Sequence, residues 1–171
     1  MAFLDLARER YSLRTFSDRP VEQEKLDLVL EAALIAPTGK NIQPWRIHVL
    51  RSAEALAKIN ELSPCIFGAP LVLLFTYDRS EDWQSPLEAD VRSGVEDVSF
   101  VATHAMLEAT ELGLGTIWVN LFPNTETERA FDLPKTERSV LLMPIGYAAE
   151  GAHPSRLHAQ TRALDELVDY R

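Results

Sequence analysis

Leu71-Val72-Leu73-Leu74-Phe75 is a continuous apolar run with Pro70 before it and Asp78 shortly after. A strand points successive side chains to opposite faces, so an unbroken apolar run needs cover on both. The run therefore predicts a central strand inside a sheet that carries helices on each side. Its partners are legible on the same grounds. Trp45, Ile47 and Val49 alternate with Arg46, His48 and Leu50, a partly period-2 pattern that suits a second strand. Gly115 to Asn120 reads as a third, and Val140 to Tyr147 as a fourth, interrupted by Pro144.

The covering helices follow from spacing. Phe3, Leu6 and Ala7 recur at helical intervals, as do Leu26, Val29, Leu30, Ala33 and Leu34 after Pro20. Ser52 is placed to cap a helix carrying Leu56, Ile59 and Leu62. Ser85-Pro86-Leu87-Glu88 has the form of a capping box with proline at the first helical position. An apolar stripe of Val95, Val98, Ala102, Ala105, Ala109 and Leu112 extends far beyond it. Together they predict one long helix, broken near Gly94 and ending at Gly113, that is either buried centrally or part of a subunit interface. Thr125-x-x-Glu128 opens a short helix, and Leu164 to Val168 is another. Helices alternating with about four strands give an α+β or α/β architecture, and 171 residues make a single domain over 1–171 the expectation.

Charge and cysteine content narrow the function. Seventeen Lys and Arg against twenty-six Asp and Glu leave a net charge of −9, so binding to a phosphate backbone starts from repulsion and a nucleic-acid partner is disfavoured. No apolar run approaches the roughly 18 to 20 residues that span a bilayer, and Met1-Ala2-Phe3-Leu4-Asp5 runs straight to charge, so no membrane association or export is expected. Cys65, the only cysteine, permits no intrachain disulfide and no cysteine-based zinc cluster. A reducing cytoplasm fits that usage, with Cys65 a small hydrophobe between Pro64 and Ile66.

Familiar catalytic motifs fail on inspection. Gly39-Lys40 lacks the Gly at 34 and the Ser or Thr at 41 that a P-loop requires, and Gly113-Leu114-Gly115 follows a helix and meets Trp118 where a dinucleotide fingerprint needs glycine. His153 and His158 have no clustered carboxylate or thiol, so no metal is expected. No nucleophile elbow or nucleophile–base pair is present.

Two segments survive. Arg10-Tyr11-Ser12-Leu13-Arg14 sets two guanidinium groups and a hydroxyl within five residues, equipment suited to a phosphate monoester or, alternatively, a solvated basic helix end. Ala36-Pro37-Thr38-Gly39-Lys40-Asn41-Ile42-Gln43-Pro44-Trp45 joins a helix end to a strand start. It is either a turn set by Pro and Gly or a loop whose Thr38, Asn41 and Gln43 suit a polar heteroaromatic edge.

Together these segments resemble the FMN-dependent nitroreductase family. The resemblance extends to Gly113-Leu114-Gly115-Thr116-Ile117-Trp118-Val119, to Pro144-Ile145-Gly146-Tyr147 and to a late Arg162. It implies an α+β, three-layer fold with a central, mostly antiparallel sheet flanked by helices, built into an intertwined homodimer with FMN sites at the interface. Arg10, Ser12, Arg14 and Arg162 match positions that hold the FMN phosphate and ribityl chain. Gln43 matches a flavin-contacting position, and Pro37, Thr38, Gly39 and Asn41 match a loop reaching the flavin from the other subunit. Val119 and Asn120 match the strand end beside the isoalloxazine. The implied activity is NADH- or NADPH-dependent reduction of a small acceptor, with hydride chemistry carried by FMN and no catalytic side chain. Two departures favour an alternative, a flavin-binding module without turnover: Gln160 stands where relatives often carry Lys, and Leu62 and Cys65 where some carry Asn and Lys.

Overall fold

The computed structural model describes residues 2–171. In chain order it forms α1 (Phe3–Glu9), α2 (Gln23–Leu34), β1 (Trp45–Leu50), α3 (Ala53–Leu62), β2 (Leu71–Asp78), α4 (Gly94–Glu111), β3 (Gly115–Thr116), α5 (Asn124–Ala130) and β4 (Glu137–Gly146). Short 3-10 turns occupy Gly39–Asn41 and Leu164–Glu166. The strands make one antiparallel sheet in the order β1-β2-β4-β3.

The apolar run at the start of β2 is covered on both faces, and alternation assigns each residue to a layer. Leu71, Leu73 and Phe75 pack with Leu26, Val29 and Ala33 of α2 and with Val98, Val101, Ala102, Ala105 and Ala109 of α4. Val72 and Leu74 point the other way, onto Leu50, Ile59 and Ile66. Helices on both sides of an antiparallel sheet make this a three-layer α+β fold. Ser52 caps α3 by accepting the Ala55 N–H at 3.1 Å. Pro144 sits inside β4 opposite Val72, where it has no N–H to give, and its carbonyl accepts from Ile117.

The structure corrects several expected boundaries. No helix begins at Ser85. Its hydroxyl accepts the N–H groups of Leu87 and Glu88 as a cap does, but the chain then turns back, so Gln84 bridges Arg92 and Ser85 N–H reaches the Val91 carbonyl. Arg92 closes the excursion on the buried Asp82, and that bond raises the Arg92 pKa further. The long helix starts instead at Gly94, seated so tightly on β2 that a Cβ there would lie 2.3 Å from the Tyr77 ring. It ends at Glu111, with Gly113 following at φ 75°. The third strand is only two residues long, continued by an isolated bridge from Val119 to Leu142. Glu128 caps nothing in α5; its carboxylate accepts Ser139 N–H and ties the helix to β4. The last helix is reduced to a 3-10 turn in a stretch, 156–171, exposed at every residue.

Candidate functional site

The Arg10–Arg14 segment is set by what it buries. Arg10 ends α1 with its N–H on the Leu6 carbonyl. The chain then runs extended beside β3: Ser12 bridges Thr116 in parallel, and Leu13 N–H donates to the Thr116 carbonyl at 2.9 Å. Leu13 is buried against Gly115, where any Cβ would meet the leucine side chain at 2.3 Å. With Leu13 pointing inward, alternation sends Ser12 and Arg14 outward. They line a cavity of about 200 Å³ with Thr15, Ala152, His153 and Ser155. Arg14 spends one N–H on the Ser12 carbonyl at 3.2 Å. Arg10 lines a separate cleft with Tyr11, Thr110, Gly113 and Gly115, and among the described residues its guanidinium has no hydrogen-bond partner. Arg162 joins neither cavity: it lies in the exposed C-terminal stretch, paired with Glu166 at 3.0 Å.

The loop from Ala36 to Trp45 is a tight, polar projection. Thr38 Oγ1 accepts Gln43 N–H at 3.1 Å, and the Thr38 carbonyl accepts Asn41 N–H at 2.9 Å. Lys40, Asn41 and Gln43 all adopt positive φ, at 49°, 55° and 55°, a conformation that side chains disfavour and that surrounding contacts must impose. Pro37, Asn41 and Gln43 are exposed, with Thr38 and Gly39 half-buried. The Gly39 N–H donates to Asp97 Oδ1 of α4 at 2.7 Å. Sequence reasoning did not single out Asp97. Its signal was position: four and eight residues before Val101 and Ala105, it is a carboxyl group on the buried side of α4.

At the strand end, Val119 exchanges both backbone hydrogen bonds with Leu142, at 2.9 and 3.0 Å, so its N–H is already committed. Trp118 Nε1 donates to Asn120 Oδ1 at 2.7 Å, and Asn120 Nδ2 donates to the Val140 carbonyl at 2.9 Å. The backbone N–H groups of Trp118, Asn120 and Leu121 have no acceptor among the described residues. They are the donors this turn offers, beside a shallow cleft of about 510 Å³ lined by Tyr77, Val95, Asn120, Asn124 and Arg138. Nearby, Ser63 Oγ donates to the Leu121 carbonyl and accepts Cys65 N–H, and Leu62 and Cys65 are half-buried in the apolar layer around Ile59.

These groups lie at two ends of one helix. Gly39 is held at the first turn of α4, while the Arg10 cleft includes Thr110 at the last. At 1.5 Å per residue, the 13 positions between Asp97 and Thr110 span about 20 Å. Among the described residues no group of three or more His, Cys, Asp or Glu is placed to hold a metal, and no helix is long and apolar enough to cross a membrane.

The family model described as the Nitroreductase family matches residues 7–65 and 61–147. A protein of Streptococcus pyogenes serotype M6 assigned as an NAD(P)H nitroreductase is 44% identical, with all of both chains covered. The FMN reductase [NAD(P)H] of Bacillus subtilis strain 168 is 31% identical over 81% of this chain and 63% of its own. Among solved structures, a nitroreductase family protein from Clostridium difficile 630 superimposes with a TM-score of 0.92 at 38% identity, covering 99% of this chain and 98% of the other.

Proposed function

The chain belongs to the nitroreductase family, and from that premise we propose that it reduces a small acceptor, a nitroaromatic, a quinone or a related compound, by a ping-pong mechanism. Membership makes it an NAD(P)H-dependent oxidoreductase with FMN as its cofactor. We read residues 1–171 as one domain, since both apolar layers share one sheet.

The observation that carries the reading is the donor set beside β3. The Arg10 guanidinium has no partner among the described residues, Arg14 has one weak local bond, and Ser12 stands between them. Folding makes little use of these groups, and their chemistry fits a phosphate monoester. A charge-assisted hydrogen bond contributes about 1.5 to 3 kcal/mol, so three guanidinium contacts supply roughly 4.5 to 9 kcal/mol before desolvation. Micromolar to nanomolar affinity needs about 8 to 12 kcal/mol. In this account Arg10, Ser12 and Arg14, with Arg162, hold the phosphate and ribityl chain. Pro37, Thr38, Gly39, Asn41 and Gln43 approach the ring, and Val119 and Asn120 border it. Because Val119 N–H is bonded to Leu142, the strand end has the backbone N–H groups of Trp118, Asn120 and Leu121 left to offer the ring.

FMN, held by Arg10, Ser12 and Arg14, would supply the hydride chemistry between a nicotinamide and the acceptor. The protein's own part is to bind and orient. Leu13 locks the phosphate-binding segment onto β3, and the Trp118–Asn120–Val140 hydrogen bonds fix the turn at the ring edge. No side-chain nucleophile or base is required.

The functional unit in this reading is an intertwined homodimer. About 20 Å of α4 lies between the loop's anchor at Asp97 and the Arg10 cleft at Thr110, so one chain does not set its loop directly against its own arginines. A two-fold partner does, setting the loop of one protomer against the arginines of the other. Phe100 and Val95 of α4 and Leu164, Leu167, Val168 and Tyr170 of the C-terminal stretch are exposed, apolar surface that such a partner covers.

Initial rates measured against NADH or NADPH at several acceptor concentrations test the mechanism: parallel double-reciprocal lines are expected, and intersecting lines overturn it. The second reading, a flavin-binding module, is favoured by Gln160, Leu62 and Cys65 standing where relatives carry Lys or Asn. FMN-loaded protein with no turnover of any acceptor supports it.

A further inference from the structure

We propose that Asp97 is a positioning residue for the flavin-facing loop, fixing it from the first turn of α4; the inference rests on the FMN reading above. Asp97 is 2% exposed. Its Oδ1 accepts the Gly39 N–H at 2.7 Å, and its Oδ2 accepts the Ser93 hydroxyl at 2.7 Å. No Lys, Arg or His pairs with it among the described residues. A buried carboxyl group without a cationic partner is costly unless neutral donors satisfy it, and here the Gly39 N–H and the Ser93 hydroxyl are those donors.

The surroundings show what it holds. Ser93 N–H donates to the Trp83 carbonyl, and Gly94 presses its backbone onto the Tyr77 ring, so the clamp is anchored to the sheet before it reaches the loop. Gly39 sits so close that a Cβ would lie 3.1 Å from Ser93 Oγ and 3.4 Å from Trp83 Cβ. Directly after this anchor come Lys40, Asn41 and Gln43, each at positive φ and each exposed. A run of disfavoured backbone relaxes unless a rigid point imposes it, and Asp97 is the buried contact that does so. The polar groups that the loop presents to a ligand thereby inherit their placement from α4. Loss of the clamp lowers the fraction of molecules with a competent loop, and apparent affinity falls by that fraction.

The test compares Asp97→Ala, Asp97→Asn and Ser93→Ala in the full chain. Asparagine keeps an acceptor for Gly39 N–H and turns its amide to Ser93 Oγ, which can accept, so it should rescue the geometry. Expected for Asp97→Ala are about tenfold faster amide exchange over residues 38–43 in the apo protein and about a tenfold rise in the FMN Kd, with Asp97→Asn near wild type and Ser93→Ala between. Should Asp97→Ala fail to fold, Ser93→Ala against Asp97→Asn still orders the two readouts. Faster loop exchange with an unchanged FMN Kd makes the clamp merely structural and overturns the proposal, as does no change in either. Wild-type protein that takes up no FMN overturns the function itself, before any variant is compared.

Discussion

Replacing Arg14 with alanine separates ligand binding from folding. The side chain is exposed, and its recorded bond is the 3.2 Å contact to a carbonyl two residues away. Removing it should therefore move the stability of the apo protein by no more than about 0.5 kcal/mol. If the guanidinium grips a phosphate, the same change removes a charge-assisted hydrogen bond of about 1.5 to 3 kcal/mol, a rise of roughly 10- to 150-fold in the FMN Kd. Arg14→Lys keeps the charge but not the planar fork, so it should fall between wild type and alanine. The assay is titration of apo protein into FMN, followed by flavin fluorescence, with thermal melts of each apo variant in parallel. An unchanged Kd, or a loss of affinity matched by a comparable loss of apo stability, refutes the phosphate assignment.

Three further outcomes follow from the geometry. Gly115→Ala drives a Cβ to 2.3 Å from the Leu13 side chain, and overpacking of this kind costs about 1 to 3 kcal/mol, readable by urea denaturation; FMN affinity should fall with it as Ser12 and Arg14 lose their anchor. The Tyr147 hydroxyl, together with the Glu22 backbone N–H and Arg19, lowers the Glu22 pKa from 4.5 to about 2. That stabilisation is present in full above the unfolded value and disappears as pH falls through the folded one, so Glu22→Gln should flatten the loss of stability between pH 4.5 and about 2 in acid titrations followed by circular dichroism. Phe100→Glu places a charge on the exposed face of α4 and should convert a dimer to a monomer by light scattering, with loss of bound FMN; a variant that stays dimeric and yellow places the interface elsewhere.

The core was legible because it obeys a period. Leu71 to Phe75 could be buried only as a strand covered twice, and the odd and even residues do part into two layers. Ser85-Pro86-Leu87-Glu88 misled because capping chemistry is local. The Ser85 hydroxyl makes its cap-like bonds, but whether a helix follows is decided by Arg92 reaching the buried Asp82 and folding the segment back. At the candidate site, Ser12 and Arg14 could be placed because Leu13 between them had to be buried. Val119 could not be read as a spent donor, since its bond depends on a bridge to Leu142, distant in sequence. Asp97 was hidden for the same reason: its partner, Gly39, is 58 residues away. Arg162 remains apart from Arg10 and Arg14 within one chain, and its assignment stands or falls with the dimer.

In the proposed function, this fold binds FMN in order to pass reducing equivalents from a nicotinamide to an acceptor. Anaerobic mixing of FMN-loaded protein with NADH and with NADPH tests it most directly. Rapid bleaching of the yellow flavin by at least one of them is expected, with return of the colour when a quinone or nitroaromatic is added. Colour that persists with both nucleotides contradicts it and leaves a protein that binds flavin without turning it over.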